Sequence, residues 1–368
     1  MDADLIVVIV VATALAFDFT NGFHDTANVV ATSISTRAMA PSVAVGYAAV
    51  LNFAGAFVSL EVAATVANDV VQVSTEPEFL LVVFGGLVGA IAWNLITWYF
   101  GLPSSSSHAL IGGIVGAAFV AGGADAVKGD GLLGKVMVPA IVAPVLAFTV
   151  AGLAILLVYK IVGSARPGPA TRGFRAGQIV SGGLLALAHG TNDAQKTMGV
   201  ITLALVANGT LSTSDFHVPT WVVVSAATAI ALGTYVGGWR IIKTMGTRIH
   251  KMDAAQGFAA QGAGATVILA SSHVGFPLST THTISGAVIG SGAAKRLSAV
   301  RWGVAGNIVI AWVLTLPAAA LIGGLTYSLT RLFGTGALGP VVVSLLILAG
   351  TWVLFTLRAR PPVVGAEA

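Results

Sequence analysis

Apolar residues run through this chain in long blocks, and short polar clusters cut into them. Blocks long enough to cross or enter a bilayer fall near 5–36, 43–67, 79–100, 104–123, 136–160, 178–208, 219–238, 257–273, 279–294, 302–325 and 339–357, against the roughly 20 residues that a helix needs to span a hydrocarbon core. The pattern predicts an all-α polytopic membrane protein with about 10–12 transmembrane segments. The first and sixth blocks carry polar clusters in their interiors, which predicts that those two helices are broken.

The first cluster is Asn21-Gly22-Phe23-His24-Asp25-Thr26-Ala27-Asn28. An Asp at a helix centre costs roughly 2.5–3.5 kcal/mol on insertion scales, so a group of such residues at membrane depth marks a functional site. The cluster is repeated. Adding 168 to each number gives His189-Gly190-Thr191-Asn192-Asp193-Ala194-Gln195-Lys196, which superposes Gly22 on Gly190, Asp25 on Asp193 and Asn28 on Lys196, with His24 and Asn192 at equivalent places.

A second motif repeats in the same order. Gly101-Leu102-Pro103-Ser104-Ser105-Ser106-Ser107-His108 returns 174 residues later as Gly275-Phe276-Pro277-Leu278-Ser279-Thr280-Thr281-His282. The chain is therefore two homologous halves, 1–160 and 178–368, joined by a short basic linker at 161–177. An odd number of crossings between the copies makes the halves inverted, a signature of secondary transporters whose site lies near the bilayer midplane.

Composition agrees: 56% of the 368 residues are hydrophobic and only 9% charged, against about 25% charged in soluble domains. Without cysteine, disulfides, thiol nucleophiles and thiolate metal sites are excluded. Asp2 and Asp4 precede the first block where a signal peptide would have a basic region, so that block is read as a retained helix. With eleven alternating crossings, 14 of the 18 Lys and Arg fall on one side, from Arg37 through Arg166, Arg172 and Arg175 to Arg360. Lys128, Lys135 and Arg331 fall on the other, among eight acids that include Glu76 and Asp215. The positive-inside rule then places the N-terminus outside and the C-terminus in the cytoplasm.

The repeated motifs have a chemistry in common. Pro103 and Pro277 suit the first turn of a helix, and the hydroxyls of Ser104, Ser105, Ser106 and Ser107, or of Ser279, Thr280 and Thr281, then lie at a helix start. There the free N–H groups and the macrodipole make a cradle for an oxyanion. Asp25 and Asp193 would repel such an anion unless a cation sits between them or one of them is protonated, as coupled transport requires. Lys196 stands where the first half has Asn28: either it snorkels to an interface, or it is a fixed ammonium that counters Asp193 and disfavours a mobile cation nearby, which leaves Asp25 to take up a proton when the anion arrives. His24, His108, His189 and His282 are candidate proton carriers or hydrogen-bond partners. Asp18 shares a helical face with Asp25 or lies in the outer headgroup region, and Glu61 lies near the outer boundary. Gly129 to Lys135 fits a phosphate-loop pattern, but Val136 stands where Ser or Thr would hold magnesium, so it is read as a turn. A serine hydrolase is disfavoured because no G-x-S-x-G occurs, and a passive anion channel would leave the paired acids unexplained.

With all four motifs in view, the chain resembles the PiT family of inorganic phosphate transporters over residues 5–325. The resemblance implies a phosphate symporter with inverted repeats, re-entrant hairpins carrying the serine-rich tips, and alternating access. It implies phosphate binding by the Ser/Thr tips, with Asn28 and Asn192 beside them, and coupling through Asp25 and Asp193. Sodium-coupled members usually have Asn at the position of Lys196, so the sequence looks like the bacterial low-affinity branch, which is proton-coupled and can take phosphate as a neutral metal complex. Sodium coupling and sulfate as substrate stand as alternatives. The reading calls for no cofactor, enzyme activity, resident metal or nucleic acid; its partners are phosphate, the lipid bilayer of the cell membrane and, as an open assembly, a homodimer.

Overall fold

The computed structural model describes residues 2–72, 74, 78–212 and 217–358. Glu76, Asp215 and Arg360 of the charge pattern lie outside them. The described residues are almost wholly helical: α1 (Asp2–Ser35), α2 (Pro41–Gly55), α3 (Glu61–Asn68), α4 (Glu78–Phe100), α5 (Ser106–Gly122), α6 (Gly129–Gly131), α7 (Val138–Val162), α8 (Pro167–Ala207), α9 (Thr220–Val236), α10 (Trp239–Lys243), α11 (Ala254–His273), α12 (Thr280–Lys295), α13 (Trp302–Arg331) and α14 (Leu338–Arg358). Prolines set several starts, at Pro41 in α2 and Pro167 in α8, because a fixed φ and a missing N–H cost nothing in a first turn. A capping box between Asp253 and Gln256 opens α11.

Polar residues sit inside and apolar ones outside, the arrangement that a lipid solvent demands. Ile141, Val145, Leu153, Leu157 and Ile161 of α7 and Val313, Leu321 and Leu325 of α13 are exposed, whereas Asp18, Asp25, Asp193 and Lys196 are buried. Polypeptide of this kind is a multi-pass membrane protein, and four of its helices are long and apolar enough to cross by themselves.

Two pairs of helices do not cross. Ala126 and Lys128, just after α5, hydrogen-bond to Gln72 and Val70, just after α3, so α4 leaves from and α5 returns to the same face. In the second half, Lys295 at the end of α12 reaches Asp253 at the start of α11, 3.1 Å away. Both pairs are hairpins, and their tips meet: the Ser107 hydroxyl donates to the Leu278 carbonyl at 3.2 Å. The sequence pattern counted each arm as a crossing because arm and span are equally apolar. With the four arms set apart, the described helices left to run from face to face are α1, α2–α3, α7, α8, α9–α10, α13 and α14.

The long helices are also unbroken at their polar clusters. Helices α1 and α8 run through residues 21–28 and 189–196 without interruption. The breaks fall in their partners instead, between Gly55 and Glu61 and, with a 59° bend, between Val236 and Trp239. The physical reason is that the hairpin tips satisfy the polar side chains of the long helices, so those backbones keep their own hydrogen bonds. Helix α8 begins at Pro167 and thus absorbs most of the 161–177 linker; at 1.5 Å per residue it is about 60 Å long.

The inverted repeat is visible in the packing. Helix α1 packs on α9 of the other half and α8 packs on α2, and the two contacts are equivalent. A Cβ on Gly22 would lie 2.3 Å from the Ile230 carbonyl oxygen, and one on Gly190 would lie 2.1 Å from that of Asn52. Each cluster therefore needs glycine for close backbone approach. The outer helices exchange partners as well: α7 embraces hairpin α11–α12, and α13 embraces hairpin α4–α5. Gly190→Ala is expected to cost about 1–3 kcal/mol by overpacking, and a detergent-solubilised variant melting at the wild-type temperature would contradict this packing.

Candidate functional site

Gly101 and Gly275 adopt φ of +66° and +75°, which turns the chain at each hairpin tip without a steric penalty. The helix that follows is then capped in the same way in both halves: Ser105 accepts from the His108 N–H at 3.1 Å, and Ser279 from the His282 N–H at 3.2 Å. The caps fix the helix phase. Ser106 and Ser107 in one tip, and Thr280 and Thr281 in the other, are thereby aimed at the clusters of α1 and α8.

The contacts obey the repeat. Within each half, cluster carboxylate meets tip hydroxyl: Ser106 donates to Asp25 Oδ1 at 3.2 Å, and Thr280 to Asp193 Oδ2 at 3.0 Å. Between the halves, Asn28 Nδ2 donates to the Thr281 hydroxyl at 2.9 Å, and Lys196 Nζ donates to that of Ser107 at 2.5 Å. The same Thr280 hydroxyl lies 3.2 Å from Asp25 Oδ2, so its one hydrogen is shared between the two carboxylates.

Asp25 further accepts from His24 Nδ1 at 2.7 Å. Asp193 has His189 Nε2 2.8 Å from its Oδ2 and the Lys196 ammonium on its Oδ1. Lys196 spends its third donor on the Leu278 carbonyl at 2.7 Å. This is one of the largest fully buried side chains of the protein, and all three of its hydrogens are used. Formally, two carboxylates and one ammonium leave a single negative charge with the imidazoles neutral. Asp25, His189 and Asp193 also present one ligand atom each within 4.8 Å of one another, a grouping able to hold a metal ion.

Chemically, the hydroxyls now spent on the carboxylates are the donors an oxyanion would recruit, beside two helix starts with their positive dipole ends converging. An arriving anion takes these donors from the carboxylates and brings its own negative charge. Both changes favour a proton or a metal ion on the acids.

Ten residues singled out from the sequence meet here: Asp25, Asp193, Asn28, Lys196, His24, His189, Ser106, Ser107, Thr280 and Thr281. The remaining six lie at its edge or outside it. Ser105 and Ser279 are caps; Ser104 bonds to Thr97 at 2.8 Å and lies 3.4 Å from His24 Nε2 at the edge of the cluster; Asn192 is held by Ser272 at 2.8 Å in the neck of the second hairpin. His108 and His282 lie edge to face, ring centroids 4.7 Å apart, with His282 stacked on Trp312, lining an apolar crevice between α5, α7, α12 and α13. Gly129 to Lys135 is helical in α6 and the π-turn after it, with Lys135 Nζ over the Phe276 ring. Glu61 is exposed in the first turn of α3.

Sequence reasoning passed over Asn52, Thr97 and Gln195. Asn52 bonds His189 and Thr234 at 3.1 and 2.7 Å, and Gln195 accepts from the Val62 N–H at the start of α3, 2.8 Å away. A lone Asn inside the apolar run of α2 was the available signal for the first, and Gln195 lies within the repeated cluster His189 to Lys196; nothing marked Thr97.

Residues 21–323 match the model of the phosphate transporter family. The chain is 52% identical, over 97% of its length and 85% of the relative's, to a probable low-affinity inorganic phosphate transporter of Mycobacterium tuberculosis. It is 45% identical to a protein of that description from Bacillus subtilis, over 88% of this chain and 96% of the other. To a putative phosphate permease of Pyrococcus furiosus it is 31% identical, over 89% and 97%. Among solved structures it is similar to a sodium-dependent phosphate transporter, with a TM-score of 0.78 and 24% identity over 89% of this chain and 99% of that one, a likeness of fold.

Proposed function

The chain belongs to the phosphate transporter family, and on that premise we propose that it is a secondary symporter bringing inorganic phosphate inward with protons. Phosphate sits between the two hairpin tips, on the hydroxyls of Ser106, Ser107, Thr280 and Thr281 and the backbone N–H groups beside them. Asp25 and Asp193 are the coupling carboxylates. With the basic residues Arg175, Lys295 and Arg301 on the face where hairpin α11–α12 opens, the positive-inside rule supports a cytoplasmic C-terminus.

The observation that carries proton coupling is the place of Lys196. Its ammonium lies on Asp193, Ser107 and the Leu278 carbonyl, where the symmetry-related Asn28 side chain offers an amide to Thr281. A sodium ion on Asp193 would have to share that carboxylate with a fixed positive charge. A proton on Asp25 meets no such obstacle, and Asp25 loses Ser106 and Thr280 as donors when phosphate takes them. Where phosphate travels as a neutral complex with a divalent metal, Asp25 and His189 supply ligand atoms to that metal, and Asp193 joins them only when Lys196 turns from it to the phosphate.

The experiment is uptake of labelled phosphate into proteoliposomes under an imposed pH gradient without sodium, and under a sodium gradient without a pH difference. The first is expected to drive accumulation and the second to leave it unchanged. Lys196→Asn should give the sodium gradient an effect. Sodium-dependent uptake by the wild type that ignores the pH gradient overturns proton coupling and leaves phosphate transport standing.

A further inference from the structure

We propose that Asp18 is a second proton carrier of the transport cycle, a carboxylate that never touches phosphate but loads and unloads a proton with each phosphate moved. This rests on the proton-coupled reading above. Of the three acids buried together in α1 and α8, two are held by partners that suit an ionised carboxylate: His24 and hydroxyls on Asp25, His189 and Lys196 on Asp193. Asp18 is different. It is 0% exposed, and neither carboxylate oxygen has a hydrogen-bond partner.

It lies two turns before Asp25 on α1, about 10 Å along the helix axis. The Thr197 hydroxyl and the Asn21 side chain face it closely enough to favour a negative charge, though neither reaches hydrogen-bond geometry, and both have unpartnered buried oxygens of their own. The charged groups around it come from α8: Asp193, which disfavours a second negative charge, and Lys196, which favours one. The other helices packed on this part of α1 bring no charge, since the ionisable residues of α4 are Glu78 and Tyr99 at its two ends and that of α9 is Tyr235 near its end.

An ionised carboxylate with no hydrogen bond is among the costliest groups to bury, and a proton or a bound cation removes the cost. A metal cation would find the free oxygens of Asn21 and Thr197 beside the carboxylate but would sit within the field of Lys196, whereas a proton needs one lone pair and adds no second charge beside that ammonium. The Lys196 ammonium also links this acid to the substrate. Phosphate arriving on Ser107 draws on the same ammonium, which weakens its hold on an ionised Asp18 and favours protonation just when phosphate is bound. The proton comes from water on the side of arrival and returns to water on the side of release; only O–H bonds form and break.

The test is static-head accumulation in proteoliposomes, wild type against Asp18→Asn, with one pH unit imposed. Each coupled proton multiplies the accumulation ratio about tenfold per pH unit, so the neutral isostere is expected to accumulate roughly tenfold less. Phosphate–phosphate exchange at equal pH, which moves no net proton, is expected to persist in the variant. An unchanged accumulation ratio in Asp18→Asn, with the wild type pH-driven, overturns the proposal and leaves proton coupling intact; a wild type that ignores the pH gradient instead overturns the reading on which it rests. Should Asp18→Asn fail to insert, infrared difference spectra on phosphate binding replace it: a carboxylic-acid carbonyl band in the wild type that shifts in Asp18→Glu supports the proposal, and its absence from the wild type sinks it.

Discussion

Asp25→Asn is expected to abolish gradient-driven phosphate accumulation while the protein stays folded in the membrane. The substitution keeps the size of the side chain and leaves one acceptor oxygen for the donors of Ser106, Thr280 and His24. It removes the charge and with it the exchangeable proton. Hydrogen bonds to a charged group are worth about 1.5–3 kcal/mol each, so weakening even two of them during the cycle predicts a loss on the order of 100-fold. Labelled-phosphate uptake would be read beside a size-exclusion profile, which separates lost coupling from lost fold. Accumulation within a factor of two of wild type would end the assignment of Asp25 to coupling.

That carboxylate was legible in the sequence because membrane depth makes a polar residue expensive, and an expense met twice, 168 residues apart, is not an accident of composition. The same reasoning found Asp193, Lys196 and both tips. It could not choose among hydroxyls: Ser105 and Ser106 are neighbours of one type, and only the capping geometry turns one to the His108 N–H and the other to Asp25. Nor could it place the helix breaks. A polar cluster reads as a weak point along one chain, whereas here the tips of both hairpins satisfy it from outside, and the break moves to the ends of α2 and α9, after Gly55 and at Gly237. Asp18 was ambiguous for a related reason. Its distance along the helix from Asp25 says nothing about whether neighbouring helices close over it, and they do.

Lys196→Met is expected to be more damaging to the fold than either loss of a coupling acid. The ammonium is buried, and its three donors hold Asp193, the Ser107 hydroxyl and the Leu278 carbonyl, so it ties α8 to both hairpin tips at once. Methionine fills a similar volume and supplies no donor. Removing one partner of a buried ion pair costs about 3–5 kcal/mol, because the charge left behind stays unpaired. Here that charge is Asp193, with His189 as its remaining cationic partner once protonated. If the loss is electrostatic, a second change that neutralises the acid, Asp193→Asn in the Lys196→Met background, should restore most of the thermal stability in detergent while phosphate uptake stays absent. If the double variant is no more stable than Lys196→Met alone, the ammonium acts chiefly through the hairpin tips, and the Asp193–Lys196 pair contributes little of its own.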